Sequence, residues 1–176
     1  LGSFRHCWHS LDLRSQKRLY WTLCTAVGAA HSQSGIKAVR ADFYQLNSAD
    51  PASRYPVLCR LLEKAEAASQ AVYILCQDEA EVAHLDQYLW AFKPDAFIAH
   101  ACADQRIDSS IILGHPDSVV VPKHKDICIN LCSDLAPKEY ERIIELVTQE
   151  HTMLITTREH FRAYQESGRT MQYHKL

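Results

Sequence analysis

Residues 72–100, VYILCQDEAEVAHLDQYLWAFKPDAFIAH, decide the fold class of this chain. The stretch opens with a short apolar run bounded by polar residues, which predicts a buried strand. Asp78 then offers a helix N-cap, and a proline at position 94 ends the helix. Between them, apolar residues recur at the spacing of one buried helix face, at Val82, Leu85 and Leu89. Residues 97–100 predict the next strand, so the stretch forms a βαβ unit.

The remaining segments extend this unit into a larger α/β domain. Further strands are predicted at 41–46, 111–114, 118–121, 127–132 and 153–155. Helices are predicted from Pro56, after Ser133 and over 158–166, where Gly168 ends the last one. The helix after Ser133 takes its buried face from Tyr140, Ile143, Ile144 and Val147. The tail, 169–176, is expected to be loose. Together these segments predict a three-layer, Rossmann-like α/β sandwich with a mostly parallel sheet.

Residues 1–38 differ from the rest of the chain in pattern and charge. They show no sustained strand or helix period and hold five basic residues against one acidic residue. They are expected to be a leader that is disordered or not native protein, with a regulatory tail as the alternative, and residues 39–176 form the domain. A shifted reading frame over 18–37 can encode a sequence that resembles the C-terminus of a leucyl aminopeptidase. That reading places the true start at Val39 and requires an ATA codon for Ile36.

Charge and composition limit the partners of the domain. Residues 39–176 carry 14 basic and 20 acidic residues, a net charge of −6, which disfavours strong direct binding to DNA phosphates. No apolar run is long enough to span a membrane, and the N-terminus lacks a signal-peptide pattern. The seven cysteines are scattered, and most lie in segments predicted to be buried. Free buried thiols indicate a reducing, cytoplasmic location.

Motifs for catalysis and cofactor binding are missing from the sequence. The chain lacks GxGxxG and GxxxxGK[ST], and the acidic residues after Cys76 would repel a phosphate. His100 and Cys102 do not continue into the paired spacing of a zinc site, and there is no GxSxG elbow. No catalytic residue, cofactor or metal is therefore expected. A small α/β enzyme of unknown substrate remains the alternative reading.

Two exposed patches are candidates for protein binding. Trp90 and Phe97 lie at the edges of predicted elements, where they either complete the core or anchor a partner. Arg158 and Arg162 are four residues apart, next to Phe161. They form either a solvated basic face or a site in which guanidinium groups hold a carboxylate.

Several segments together resemble the chi subunit of the bacterial DNA polymerase III holoenzyme. They are ADFYQL at 41–46, HLDQYLWA at 84–91 followed by Phe97 and His100, DICINL at 126–131, and TREHFRAY at 157–164. The resemblance covers about 39–168. It implies a non-catalytic accessory subunit of the clamp loader, active in DNA replication. Such a subunit pairs with the psi subunit and binds the acidic C-terminal tail of single-stranded DNA-binding protein, which ends in a phenylalanine carboxylate.

The resemblance also implies roles for particular residues. Trp90 and Phe97 match positions on the face used by psi and by a competing repair helicase. Val147, Arg158 and Phe161 match positions around the tail-binding pocket. One pocket lysine of the family falls on Leu154 here, and Arg162 is expected to supply that charge instead.

Overall fold

A computed structural model describes residues 39–92, 98–105, 107, 109–118 and 122–176. In these residues the strands are β1 (Arg40–Gln45), β2 (Val72–Leu75), β3 (Ala101–Cys102), β4 (Ile111–Gly114), β5 (Ile127–Asn130), β6 (Arg142–Val147) and β7 (Thr170–Lys175). The helices are α1 (Arg54–Ala67), α2 (Glu79–Ala91) and α3 (His151–Glu166), with short 3₁₀ turns at Pro51–Ser53 and Ala103–Gln105. The prediction for residues 1–38 lies wholly outside the described residues. The strand predicted at 118–121 lies mainly outside them, since only residue 118 is described.

The strands form one sheet in the order β3-β4-β2-β5-β6-β1-β7, and every described pairing is parallel. Strands β2, β4 and β5 are buried at every residue, as expected where helices cover both faces of a sheet. One core cluster joins the sheet to α1 and α2, and a second joins the opposite face to α3. The predicted three-layer α/β architecture is confirmed.

The βαβ unit forms largely as its sequence predicts. Asp78 caps α2 by accepting a hydrogen bond from the Glu81 N–H at 2.8 Å, and the Glu81 carboxylate accepts one from the Gln77 N–H at 2.7 Å. This reciprocal arrangement resembles a capping box. The predicted buried face is confirmed, since Val82, Leu85 and Leu89 are all buried.

The strand predicted at 97–100 is wrong in position. Residues 98–100 have no regular structure, and the strand is β3, which pairs with β4 over only two residues. Ile98 is buried in the core, so its apolar character reflects packing rather than strand pairing. Nδ1 of the His100 side chain lies 2.7 Å from the Ile98 carbonyl oxygen, within hydrogen-bond distance. Phe97 lies outside the described residues.

The helix predicted after Ser133 is also wrong, because its second half is strand β6. The residues from Ile143 to Val147 are all buried, as in the interior strand of a parallel sheet. A strand covered on both faces shows no alternation, so its apolar residues also fit a helical spacing. The adjacent β-branched pair Ile143 and Ile144 was the signal that favoured a strand.

The strand predicted at 153–155 is the first part of α3, which begins at His151 rather than at Arg158. Met153, His160 and Tyr164 lie on one helix face, and their spacing extends the helix back toward Glu150. The predicted stop is confirmed, since Gly168 adopts a φ of 82° just after the helix ends.

The tail is not loose: it forms β7, which pairs in parallel with β1. Arg169 secures the start of this strand. Its guanidinium group donates hydrogen bonds to the backbone carbonyls of Arg40, Glu141, Lys138 and Tyr140. These long-range bonds join the tail to two preceding segments, and nothing in the local pattern of the tail reveals them.

Candidate functional site

Three aromatic rings meet where α3 packs against β1 and β7. Phe43 lies 5.8 Å from Phe161 in an edge-on arrangement and 5.8 Å from Tyr173 in a stacked one, measured between ring centroids. Phe161 and Tyr173 lie 5.7 Å apart. Phe43 is 3% exposed and Tyr173 is 57% exposed, so the rings lead from the core to solvent. With Val147, buried in the same cluster, and Arg158, these rings define the α3–β7 surface.

Arg158 borders this surface and Arg162 lies at its margin. Both side chains are exposed. Around the helix, Arg158 is about 60° from Phe161, and Arg162 is about 100° from Phe161 on the same side, further toward solvent. Leu154 is only about 20° from Phe161 and packs, half-buried, against the same cluster. Val147 and Phe161 therefore belong to one cluster, Arg158 lies beside it one turn before Phe161, and Arg162 faces further toward solvent.

The acidic residues of α3 lie away from the surface. Glu159 and Glu166 are about 160° and 140° from Phe161 around the helix, on its outer side. Neither Arg158 nor Arg162 forms an ion pair with a carboxylate in the part of the chain that the structure describes. The α3–β7 surface therefore presents positive charge within a domain whose net charge is negative.

A buried polar network holds α3 against the sheet beneath this surface. One oxygen of Glu145, on β6, accepts hydrogen bonds from the Tyr164 hydroxyl at 2.8 Å and from the Asn130 amide at 3.0 Å. The same oxygen lies 3.1 Å from Nδ1 of His160. The other ring nitrogen of His160 lies 3.0 Å from the carbonyl of Ser133. The Glu145 carboxylate thus joins α3 to β6, and His160 extends the network to the loop after β5.

The network requires a protonated histidine. A carboxylate and a carbonyl can only accept, so both ring nitrogens of His160 must donate. Burial alone disfavours this charge, but the hydrogen bond and the charge of Glu145 outweigh it and raise the pKa of His160. Burial and the Glu145 charge also raise the pKa of Tyr164, which keeps its hydroxyl protonated as a donor.

Phe43 and Tyr173 complete the surface, although the sequence did not point to them. Phe43 belongs to a predicted strand, but its partners come from segments more than a hundred residues away. Tyr173 falls in the segment predicted to be loose. Only the alternation of Met171, Tyr173 and Lys175 within the tail could have suggested a strand face here.

Trp90 defines a second candidate surface near the opposite edge of the sheet. It lies at the end of α2 and is 59% exposed, in keeping with its expected place at the edge of the helix face. Its ring lies 5.5 Å from that of His100, which is held by Asp86 at 3.1 Å. Because Phe97 lies outside the described residues, the pairing of Trp90 with Phe97 stays a prediction.

A cavity of about 270 Å³ opens at the carboxyl edge of the sheet, where ligands of α/β proteins often bind. Arg54 and Glu81, two of its three charged lining residues, pair with each other. The buried guanidinium of Arg54 donates to Glu81 at 3.1 Å and to the Leu131 carbonyl at 3.0 Å. Glu81 in turn holds the start of α2, so these groups support the fold.

The described cysteines are free thiols, and four of them, Cys59, Cys76, Cys128 and Cys132, are buried as predicted. Burial raises the pKa of Cys76 and Cys128, which keeps both thiols uncharged. In the described residues, no group of three His, Cys, Asp or Glu side chains is arranged to hold a metal ion. No described helix has the length and apolar character needed to cross a membrane.

Comparison with known proteins agrees with this fold. The sequence model of the family described as "DNA polymerase III chi subunit, HolC" matches residues 39–172. The chain is 39% identical over 140 residues to DNA polymerase III subunit chi of Pseudomonas aeruginosa strain PAO1, covering 78% of this chain and 96% of that protein. It is 24% identical over 119 residues to DNA polymerase III subunit chi of Escherichia coli strain K12, covering 64% and 78%. This chain belongs to the family of DNA polymerase III chi subunits.

Proposed function

We propose that this chain is a non-catalytic accessory subunit of the polymerase clamp loader, working in the cytoplasm. It joins the psi subunit to the acidic C-terminal tail of single-stranded DNA-binding protein. The α3–β7 surface binds the tail, and the surface around Trp90 and Phe97 binds psi or a competing repair helicase. The observation that carries the proposal is the aromatic set of the α3–β7 surface, exposed at Tyr173 and bordered by Arg158.

The chemistry of the α3–β7 surface suits an acidic peptide that ends in an aromatic residue. Phe161 and Tyr173 offer apolar ring faces for such a side chain, and Arg158 can bind a carboxylate through two parallel hydrogen bonds. Because Val147 and Phe43 are buried beneath, the floor of the site is fixed before the peptide arrives. Less conformational entropy is then lost on binding.

The overall charge supports a partner other than the DNA backbone. The domain at 39–176 carries a net charge of −6, so the phosphates of DNA are repelled on average. A small basic site can still bind an acidic peptide, because screening limits charge interactions to about 10 Å at 0.1 M salt. The subunit can thus bind the tail without competing for the DNA that the tail's own protein covers.

The tail proposal is tested by titrating the protein into a fluorescently labelled acidic peptide that ends in a free phenylalanine carboxylate. Arg158→Ala should weaken binding by about 1.5–3 kcal/mol, the range for a hydrogen bond to a charged group, or roughly 10- to 150-fold. Arg60→Ala on α1 is the matched control, since it removes the same charge from an exposed site on the other helical layer. Failure of the wild-type protein to bind the peptide would exclude this role.

The second surface is tested separately by co-purification with psi. Phe97→Ala and Trp90→Ala should each reduce recovery of psi and leave affinity for the tail peptide unchanged. Truncating an anchor residue of this kind to alanine typically weakens binding by 2 kcal/mol or more, which is about 30-fold in affinity. Retention of psi at wild-type levels by both variants would remove this surface from the proposal.

A further inference from the structure

We propose that Lys175, on β7, supplies the second cation of the tail-binding site and pairs with the terminal carboxylate of the bound peptide. The inference rests on the proposed function of the α3–β7 surface. It concerns a residue outside α3, on the strand that faces the helix across the aromatic rings.

The register of the sheet places Lys175 in the same row as a residue of the site. Gln45 on β1 pairs with Val147 on β6 and with Lys175 on β7. Neighbouring strands lie about 4.8 Å apart, so the backbones of Val147 and Lys175 are about 10 Å apart with Gln45 between them. Between Val147 and Lys175 in this row lies only Gln45, which is exposed.

The pleat of β7 directs Lys175 to the same face as the aromatic rings. Successive strand residues alternate between faces. Tyr173 contacts Phe43 and Phe161 on the α3 face, whereas His174 stacks on Tyr44 on the other face, with ring centroids 4.3 Å apart. Lys175, two residues after Tyr173, therefore belongs to the α3 face.

Lys175 and Arg158 are displaced toward the same edge of the sheet. The helix α3 runs back between two parallel strands, so Arg158 lies nearer the carboxyl edge than Phe161 by about 4.5 Å, three residues of helical rise. Lys175 lies nearer the same edge than Tyr173 by about 6.6 Å, two residues of a strand. The two cations thus border the aromatic pair from opposite walls. A terminal phenylalanine has its carboxylate only a few bonds from its ring, which matches this arrangement.

The alternative cation, Arg162, lies further from the aromatic rings than Arg158 does. It lies about 100° around α3 from Phe161, on the same side as Arg158 but about 40° further toward solvent, and one turn nearer the amino edge of the sheet. Lys175 is exposed and forms no ion pair within the described part of the chain, so its charge is available to a ligand. β7 also contributes no acidic residue to compete for it.

The test compares Lys175→Ala, Arg162→Ala and Lys64→Ala in the peptide titration, with the C-terminus of the peptide either free or amidated. Lys64, exposed on α1, is the matched control for loss of one lysine charge. At low ionic strength Lys175→Ala should weaken binding of the free-acid peptide by about three- to fivefold. The loss should fall below about twofold with the amidated peptide or at high salt. Lys175→Arg should restore most of the affinity, and Arg162→Ala should resemble Lys64→Ala.

The outcomes separate this inference from the function on which it rests. If Arg158→Ala weakens binding while Lys175→Ala matches Lys64→Ala, the site stands and Lys175 is excluded from it. An equal loss for Lys175→Ala with free and amidated peptides would overturn pairing with the terminal carboxylate. If Arg162→Ala shows the dependence on the free carboxylate instead, the second cation comes from α3. Absence of peptide binding by the wild-type protein would overturn both proposals.

Discussion

Replacement of His160 by alanine is expected to be among the most damaging single changes in this domain. The residue is 4% exposed, and its side chain carries a positive charge between the Glu145 carboxylate and the Ser133 carbonyl. Its removal leaves Glu145, also 4% exposed, with only the neutral donors Tyr164 and Asn130. Breaking a buried ion pair in this way costs about 3–5 kcal/mol.

This loss can be measured by urea unfolding followed by circular dichroism at pH 6. A lower midpoint with an unchanged slope would report a change in stability alone. In a domain of this size, each kcal/mol of lost stability lowers the melting temperature by about 2–4 °C. The melting temperature of His160→Ala should therefore be lower than that of the wild type by on the order of 10 °C. His151→Ala is the control, because His151 is exposed at the start of the same helix.

The pH dependence tests the charge on His160 directly. Its pKa is raised in the folded state, so its stabilising contribution is complete below the unfolded pKa of about 6.5. That contribution is lost as the pH rises through the folded pKa. Wild-type stability should therefore fall over this window by more than that of His160→Ala. Glu145 is the main carboxylate that sets the shift, with a smaller effect of Glu159. Parallel pH profiles for the two proteins would refute the protonated network.

Two further changes test the packing of the tail and the neighbouring ion pair by calorimetric melting. Gly168→Ala should cost about 1–2 kcal/mol, because φ is 82° while an added Cβ meets no atom within 4 Å, and Gly168→Asn should cost less. A neutral Gly168→Ala would contradict this origin of the cost. Arg142→Ala should cost about 3 kcal/mol, because Arg142 is the main partner of the fully buried Asp42. Arg40→Ala should cost below about 1 kcal/mol, since its exposed side chain lies 3.6 Å from the same carboxylate. Equal losses for the two arginines would contradict this ranking.

The sequence correctly predicted those elements of the fold that depend on signals within a few residues of one another. The cap at Asp78, the helical spacing of α2 and the apolar run of β2 act within a few residues of one another, so pattern reading recovers them. Strand β6 was misread because burial on both faces removes the alternation that identifies a strand. Strand β7 was missed because its order comes from Arg169 and from stacking on Phe43, both long-range contacts.

The candidate sites divide in the same way. Arg158 and Phe161 lie three residues apart on one helix, so the sequence could offer them as one candidate surface, with a solvated basic face as the alternative. Tyr173 joined that surface only once β7 was in place, because its neighbour on α3, Phe161, is more than ten residues away in sequence. Parallel pairing brings distant segments side by side, and no local pattern records which segments will meet.

The placement of the two surfaces at opposite edges of one sheet bears on how the subunit would work. Trp90 contacts His100 just before β3, and the α3–β7 surface lies at β7, the other end of the strand order. Six spacings of about 4.8 Å separate these strands, or roughly 29 Å across a closely packed core. Partners at that distance share no residues, so their binding energies should add to within about 0.5 kcal/mol. Tail-peptide affinity measured with and without psi should then differ by less than about threefold. A larger difference would mean that the sheet transmits a change between its edges and does not simply hold two partners apart.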